Sequence, residues 1–494
     1  MPTFPFAILF LLGILIYAFR ILRNAHARVD LLRSIPTVGP SGVLSSYIGA
    51  FKYIFNARDS LQEGYDKYRL NPGVFKIAVL DRWVVVVCRP DLIMDVKLAP
   101  ENLLSFHDAA FDILEGRYTL GSSVFKDPYH FNIIQGPLTR NVSKRFPAMF
   151  REAVFALAKE IPLVHDESLE ISVWNMTLNV ACRTSTNFLL GHSLCRNSDW
   201  LALNIKFAKD VAVSINIINL FPDVLKPFVG KFMTPLPYSV ARAVKHLSPL
   251  FAERMARMKD ADSDAGEDDL ISWLLSEACN GPPSRRTSQE LTLRVLSVHF
   301  FAIYTTSMML NHALIYLAYN LDMFNTLREE IEQCVQKHGG WTKAATEDMF
   351  CLESVLKEVM RLAPLNGVSV DRKTVNDYKF ANGLCVPAGT MLSIPVYNVH
   401  RDETYNPRAE TFEGTRFMGQ KMTSATPQHL AWGLGRSACP GRFFAASELK
   451  MLLAHILVTY DFRCERETMP ELRWFSQRIL PDTTTTFIFQ KRRI

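Results

Sequence analysis

The residues best equipped for chemistry lie in one short stretch, Ala431-Trp-Gly-Leu-Gly-Arg-Ser-Ala-Cys-Pro-Gly-Arg-Phe-Phe-Ala445. A glycine-rich turn there delivers a single cysteine, Cys439, to the start of an apolar segment. Pro440 suits a first helical position. A thiolate at Cys439 would face the positive end of the following helix, which lowers its pKa. Gly433, Gly435 and Gly441 keep side chains from the sulfur, so a large flat group could approach it. A lone GxG carries little, and free cysteines are usually inert core residues. That reading serves the other eight cysteines. The joint pattern WGxGRxxCPGxxFA is far more restrictive.

Two further groups stand out. Glu358-Val-Met-Arg361 sets a carboxylate and a guanidinium at i and i+3 on one helical face. An exposed pair contributes ~0–1 kcal/mol, but Leu356, Val359, Met360 and Leu362 around it imply burial. Phe301-Ala-Ile-Tyr-Thr-Thr-Ser307 places Thr305 in an apolar helix, where a hydroxyl ordinarily bonds its own backbone. Tyr304 precedes it, and a phenol with a pKa of about 10 is a poor proton relay.

These residues need elements to hold them. Thr287-Ser-Gln-Glu290 forms a capping box, after which no Gly or Pro occurs to about Asn320. The spacing predicts a central helix of ~32 residues, ~48 Å long. A second helix ends at Ala363-Pro364, and a last one follows Cys439. Val74–Leu80, Asp81-Arg82 and Trp83–Cys88 read as strand, turn and strand. Asn366 to Pro395 reads as short strands, and Asp482–Gln490 as a terminal strand. Glu101 to Met360 is mostly helical, with an acidic loop at 260–269. The expected fold class is mainly α with small β-sheets, in one domain over 45–494 without linker or repeat.

Phe4 to Phe19 carries no charge, and Arg20, Arg23 and Arg28 follow it. A span needs ~20 apolar residues, which this run reaches if Arg20 snorkels. Ala25-His26-Ala27 resembles a signal-peptide cleavage site. Yet no cation precedes the run, and arginines separate it from that site. Residues 1–28 are therefore read as a retained transmembrane helix, with the following chain in the cytosol. Residues 29–44, containing Ile35-Pro-Thr-Val-Gly-Pro40, are read as a stiff hinge.

Composition narrows the function classes. With 48% hydrophobic and 21% charged residues, the chain can bury a large core. Lys+Arg 55 against Asp+Glu 49 leaves +6 with no dense run, which argues against a nucleic-acid binder. Nine cysteines without a CxxC pair argue against a disulfide framework or a zinc site.

At the Cys439 loop the chain resembles the cytochrome P-450 superfamily of haem-thiolate monooxygenases, and the resemblance extends over most of residues 30–490. It is nearest the microsomal type of filamentous fungi, where CPGRFFA recurs. The resemblance implies the cytochrome P-450 fold, with the Cys439 thiolate as axial ligand of haem b iron. It implies an ion-pair scaffold of Glu358, Arg361 and Arg416, although Gly414-Thr415 replaces the usual Pro-Glu. It implies that Thr305 organises the water that protonates bound dioxygen, with Tyr304 where an acid is usual. Arg372 stands where the family has a cation for a haem propionate. Ser437 occupies another such position, leaving Arg436, one place earlier, as the candidate. Trp432 replaces a phenylalanine packed beside the sulfur, its indole N–H bonding the sulfur or lying elsewhere. The family's Trp-x-x-x-Arg is absent, and His130 is either a substitute or a surface histidine.

The resemblance implies electrons from NADPH through a membrane-bound flavoprotein reductase, and an endoplasmic reticulum location facing the cytosol. Phe106–Gly121 is expected to roof the pocket. With Val211–Phe228 and Leu365–Val370 it makes largely apolar walls. An anchor and apolar walls favour a lipophilic substrate such as a terpenoid, steroid or prenylated aromatic of fungal secondary metabolism. Two other classes stay open: a haem-thiolate isomerase or dehydratase working without dioxygen, and a non-catalytic haem- or lipid-binding membrane protein. Turnover under nitrogen without NADPH separates the first pair. Haem without turnover on any lipophile marks the third.

Overall fold

The computed structural model describes residues 32–42, 44–163, 167–259 and 268–492. The anchor expected over 1–28 and residues 260–267 of the acidic segment lie outside these. The described chain is mainly helical with small sheets, as its periodicity implies.

The central helix runs Ser288–Ala318. Thr287 caps it, its hydroxyl accepting the Glu290 amide at 3.3 Å. The other half of the expected capping box is missing. The Glu290 carboxylate instead takes Arg294 at 2.7 Å, since a guanidinium as buried as Arg294 needs an anion. The helix packs against Val173–Leu190, Ser198–Ile218, Leu236–Lys259, Phe350–Leu362 and Arg442–Thr459. It is long and apolar enough to cross a membrane, but 78% of its most apolar window is buried inside the protein. Its apolar character is that of a core helix.

A six-stranded sheet flanks the helices, in the order Thr37–Val38, Val74–Ala78, Trp83–Val87, Met391–Ile394, Ser369–Thr374 and Leu104–Ser105. The expected hairpin is there, with Val74 opposite Val87 and Ala78 opposite Trp83. The segment expected as a hinge departs from its reading. Ile35 is buried, and Thr37–Val38 pairs in parallel with Lys76–Ile77, so these residues belong to the globule.

Between Ser369 and Arg372 the register shifts against Met391–Ile394. Val370 sits at the irregularity with φ +59°, a conformation costly for a β-branched residue. A small sheet joins Tyr460–Arg463, Thr486–Lys491 and Ser168–Ser172. The terminal strand starts later than expected because Asp482 accepts the Thr484 and Thr485 amides in a turn. Ser168–Ser172 interrupts the stretch read as helical.

Candidate active site

The Cys439 loop is closed by its own backbone, the Cys439 amide donating to the Trp432 carbonyl at 2.7 Å. The Trp432 indole N–H donates to the Met422 carbonyl at 2.6 Å, so it braces the loop's base and lies away from the sulfur. The following helix begins at Arg442 with Gly441 as its cap, so Pro440 precedes the helix rather than opening it. Two expectations change here. Burial pushes the Cys439 thiol up, and the Gly441 and Arg442 amides with the Arg442 charge oppose that without reversing it. The turn itself also demands glycine. Gly433 and Gly435 have φ +75° and +69°, and a Cβ on Gly435 would lie 2.8 Å from the Lys97 carbonyl oxygen.

A buried charge network supports the loop. Glu358 and Arg361 are both 0% exposed and meet in two bonds, at 2.7 and 2.8 Å. Arg416 donates to Glu358 at 3.1 Å, completing the expected triad. Glycine at 414 has a packing reason, since a Cβ there would lie 2.7 Å from the Met323 methyl. Arg361 also donates to the His400 and Ala409 carbonyls. His400 carries the network onward. Its Nδ1 donates to the Arg361 carbonyl at 3.2 Å, and its Nε2 accepts the Leu430 amide at 2.8 Å. Those partners require the neutral ring, and burial with the neighbouring His429 pulls its pKa well below the usual value. The sequence reading missed His400, which no local motif marks.

A cavity of about 220 Å³ lies beside the central helix, walled by Phe106, Leu114, Phe125, Phe131, Phe301 and Val368 among others. The roof expectation therefore holds for Phe106–Leu114, and that of a wall from Leu365–Val370 holds for Asn366 and Val368. From Val211–Phe228, Asn216, Asn219 and Leu220 line an adjoining cavity instead. Phe301 is 40% exposed within the core helix because it fronts this space. Thr305, one turn on, donates its hydroxyl to the Phe301 carbonyl at 2.7 Å. The Tyr304 ring stacks on Phe300 and meets Trp174 edge-on, and burial pushes its phenol up.

Comparison with known proteins decides the family. The family model Cytochrome P-450 matches residues 45–486. Cytochrome P-450 monooxygenase 71 of Postia placenta is 35% identical, covering 94% of each chain. Cytochrome P-450 monooxygenase paxQ of Penicillium paxilli is 29% identical, over 96% of this chain and 94% of its own. Cytochrome P-450 monooxygenase atmQ of Aspergillus flavus is 29% identical, over 100% and 95%.

The chain belongs to the cytochrome P-450 family.

As a cytochrome P-450 it is a monooxygenase, an oxidoreductase of a family built on haem-thiolate iron. The residues present fit that group. Among the described residues no three His, Cys, Asp or Glu side chains converge to hold a metal. One cysteine suits an ion whose other ligands come with the cofactor. Among the buried thiols pushed up, Cys439 is the one opposed by two backbone amides. Arg372 is buried beside the loop, donating to the Leu434 carbonyl at 3.4 Å, with no carboxylate in ion-pair range among the described residues. Such a cation calls for an anion. Arg436 is exposed on the turn Gly435–Ser437, so of these two arginines it is Arg372 that is buried against the loop in this cytochrome P-450. His130 is buried in the cavity wall with Nδ1 unpartnered, not a surface residue. Burial and the Arg294 charge pull its pKa to about 3, leaving it neutral.

The helix Lys226–Met233 is pinned at its first residue. Lys226, buried, meets Glu115 at 2.8 Å, Asp223 at 3.0 Å and Asp81 at 3.2 Å. Burial opposes its charge, but the Asp81 and Glu115 carboxylates outweigh that and push its pKa up. Arg82 extends the cluster to Asp81 and Asp112.

Proposed function

We propose that this protein is a membrane-anchored monooxygenase that hydroxylates, in one or several steps, a lipophilic small molecule of fungal secondary metabolism, of terpenoid or steroid kind. Cys439 would hold haem b through its thiolate, and Arg372 would take a propionate. When bound, that group supplies the activation of dioxygen with electrons from NADPH through a flavoprotein reductase. Trp432 holds the ligand loop through Met422, and Arg436 is left to the surface. The observation that carries the reading is the Cys439 loop set against a buried, anion-free Arg372, beside a mainly apolar cavity.

The remaining residues orient and exclude. Phe106, Phe131 and Phe301 exclude water from the substrate's body. The Thr305 hydroxyl already donates to the Phe301 carbonyl, so its oxygen acts by accepting a hydrogen bond from a water and holding that water in place. A membrane setting is supported by exposed apolar side chains at Ile48, Phe51, Phe55, Phe228 and Phe232, together with the anchor read in 1–28. The expected arrangement is a catalytic domain on the cytosolic face of the endoplasmic reticulum.

The test is expression beside a reductase. Reduced protein with carbon monoxide should show the red-shifted band of thiolate-bound haem, and Cys439→Ala should lose it while Cys351→Ala and Cys464→Ala keep it. Product from terpenoid intermediates should require both NADPH and dioxygen. Retention of the band in Cys439→Ala, or turnover under nitrogen, would overturn the reading.

A further inference from the structure

The cavity beside Phe301 is apolar along most of its wall but ends in Asp371, Arg478, Gln477 and Asn366. Arg478 opens the short strand Arg478–Leu480 and bridges to Asn366. With Gln477 and Ile113 it also lines the adjoining, more polar cavity, so it stands where the two meet. Its surroundings are unusual for a cation. Its one recorded hydrogen bond runs from Nη2 to the Ile113 carbonyl at 3.1 Å, and a guanidinium has five donors. No carboxylate lies in ion-pair range of it among the described residues, and burial pulls its pKa down.

Asp371 is the one carboxyl near Arg478, and Arg372 shares it electrostatically. Asp371 already accepts the Ser393 hydroxyl. Asp371 is thus engaged elsewhere, and Arg478 keeps donors without a carboxylate partner where it fronts an apolar space. A guanidinium that fronts an apolar space with donors to spare is relieved by an anion, and its planar fork suits a planar one.

We propose that Arg478 is a specificity residue that binds the carboxylate of a lipophilic acid whose apolar body lies along Phe131 and Phe301. The proposal rests on the monooxygenase reading above and narrows its substrate class to lipophiles bearing an acid group. A carboxylate so held would make charge-assisted bonds with the free donors of Arg478. Its methyl ester would keep the apolar contacts and lose the charge.

Equilibrium dialysis of dodecanoate and methyl dodecanoate against the haem-loaded protein tests this. Wild type should hold the acid roughly 10–100-fold more tightly than the ester, the range expected of a hydrogen bond to a charged group. Arg478→Gln should abolish that preference and leave the ester's affinity where it was, and Arg478→Lys should keep part of it. An ester bound as tightly as the acid, no binding of the acid, or a preference surviving Arg478→Gln would overturn the proposal. So would equal loss of both ligands in Arg478→Gln, because the arginine would then only shape the wall. The carbon monoxide band, read on the same samples, is independent of Arg478 and reports failure of the haem-thiolate reading separately.

Discussion

The Leu430 amide donates to Nε2 of His400 over 2.8 Å, across thirty positions of chain. This one bond joins the Glu358–Arg361 pair, through the Arg361 carbonyl, to the start of the loop that carries Cys439. The ion pair and the ligand loop are therefore one mechanical unit. Removing either charge leaves the other buried alone, at a cost of about 3–5 kcal/mol. Glu358→Ala and Arg361→Ala should yield little haem-loaded protein. His400→Phe should also load poorly, because it strands the Leu430 amide without a partner. Carbon monoxide difference spectra on equal amounts of folded protein measure this; normal loading in all three variants would contradict it.

Stability should fall on both sides of a near-neutral optimum. Burial holds His299, His312 and His455 at a pKa of about 4, and His429 likewise with the Lys357 charge beside it. The unfolded chain binds protons at these rings from 6.5 downward and the fold does not. Their contribution is thus full above 6.5 and lost as pH falls through 4. Glu448 has the opposite sign. Burial pushes it from 4.5 to about 8, against the hydrogen bonds from the Ser185 hydroxyl. Its contribution is full below 4.5 and lost as pH rises through 8. Thermal unfolding from pH 4 to 9 should show both limbs, and Glu448→Gln should flatten only the alkaline one. An unchanged alkaline limb in that variant would refute the assignment.

Thr305→Ala should keep haem content and lower product per NADPH, with hydrogen peroxide released instead. A positioned proton carrier is typically worth ~10²–10⁴-fold, and substitute water recovers part of that. Tyr304→Phe should change coupling less, because burial pushes its phenol further from neutral pH. The measurement is product and peroxide per NADPH in the three proteins. Unchanged coupling in Thr305→Ala would remove the hydroxyl from the proton path.

Deleting Met1–Arg23 should loosen membrane association without abolishing it, since Phe51, Phe55, Phe228 and Phe232 stay exposed. Changing those four to serine in the deleted protein should release it. Carbonate extraction and flotation read the result. A deleted protein that is soluble before the serine changes would show that these side chains do not meet the bilayer.

Local chemistry made part of this site legible. The Cys439 loop, the Glu358–Arg361 spacing and the uninterrupted run after Thr287 each declare themselves within about a dozen to thirty residues. Arg416 was placed correctly despite Gly414, because its neighbours in the chain hold it near Glu358. What stayed hidden depends on distant partners. His400 gains meaning only when it meets the Arg361 carbonyl and the Leu430 amide, and Asp371 and Arg478 only when the strands Ser369–Thr374 and Arg478–Leu480 come to the cavity edge. Ser168–Ser172 alternates polar and apolar residues, but it is only five residues long and mostly exposed, and it becomes a strand by pairing with Thr486–Lys491. At Cys439 the amides that pull the thiol down follow from its place before a helix, which is visible in sequence, whereas the burial that pushes it up is not.

Lys226 ties three separate pieces of the chain, the turn at Asp81, the roof segment at Glu115 and its own helix, into a single clasp. Lys226, Asp81 and Glu115 are all buried in their side chains, so added salt reaches this clasp far less than it reaches a surface pair. The same helix carries the exposed Phe228 and Phe232, which makes the roof segment and this apolar patch parts of one fastened body. Whatever those two rings press against is therefore coupled to the cover of the cavity through a single ammonium group.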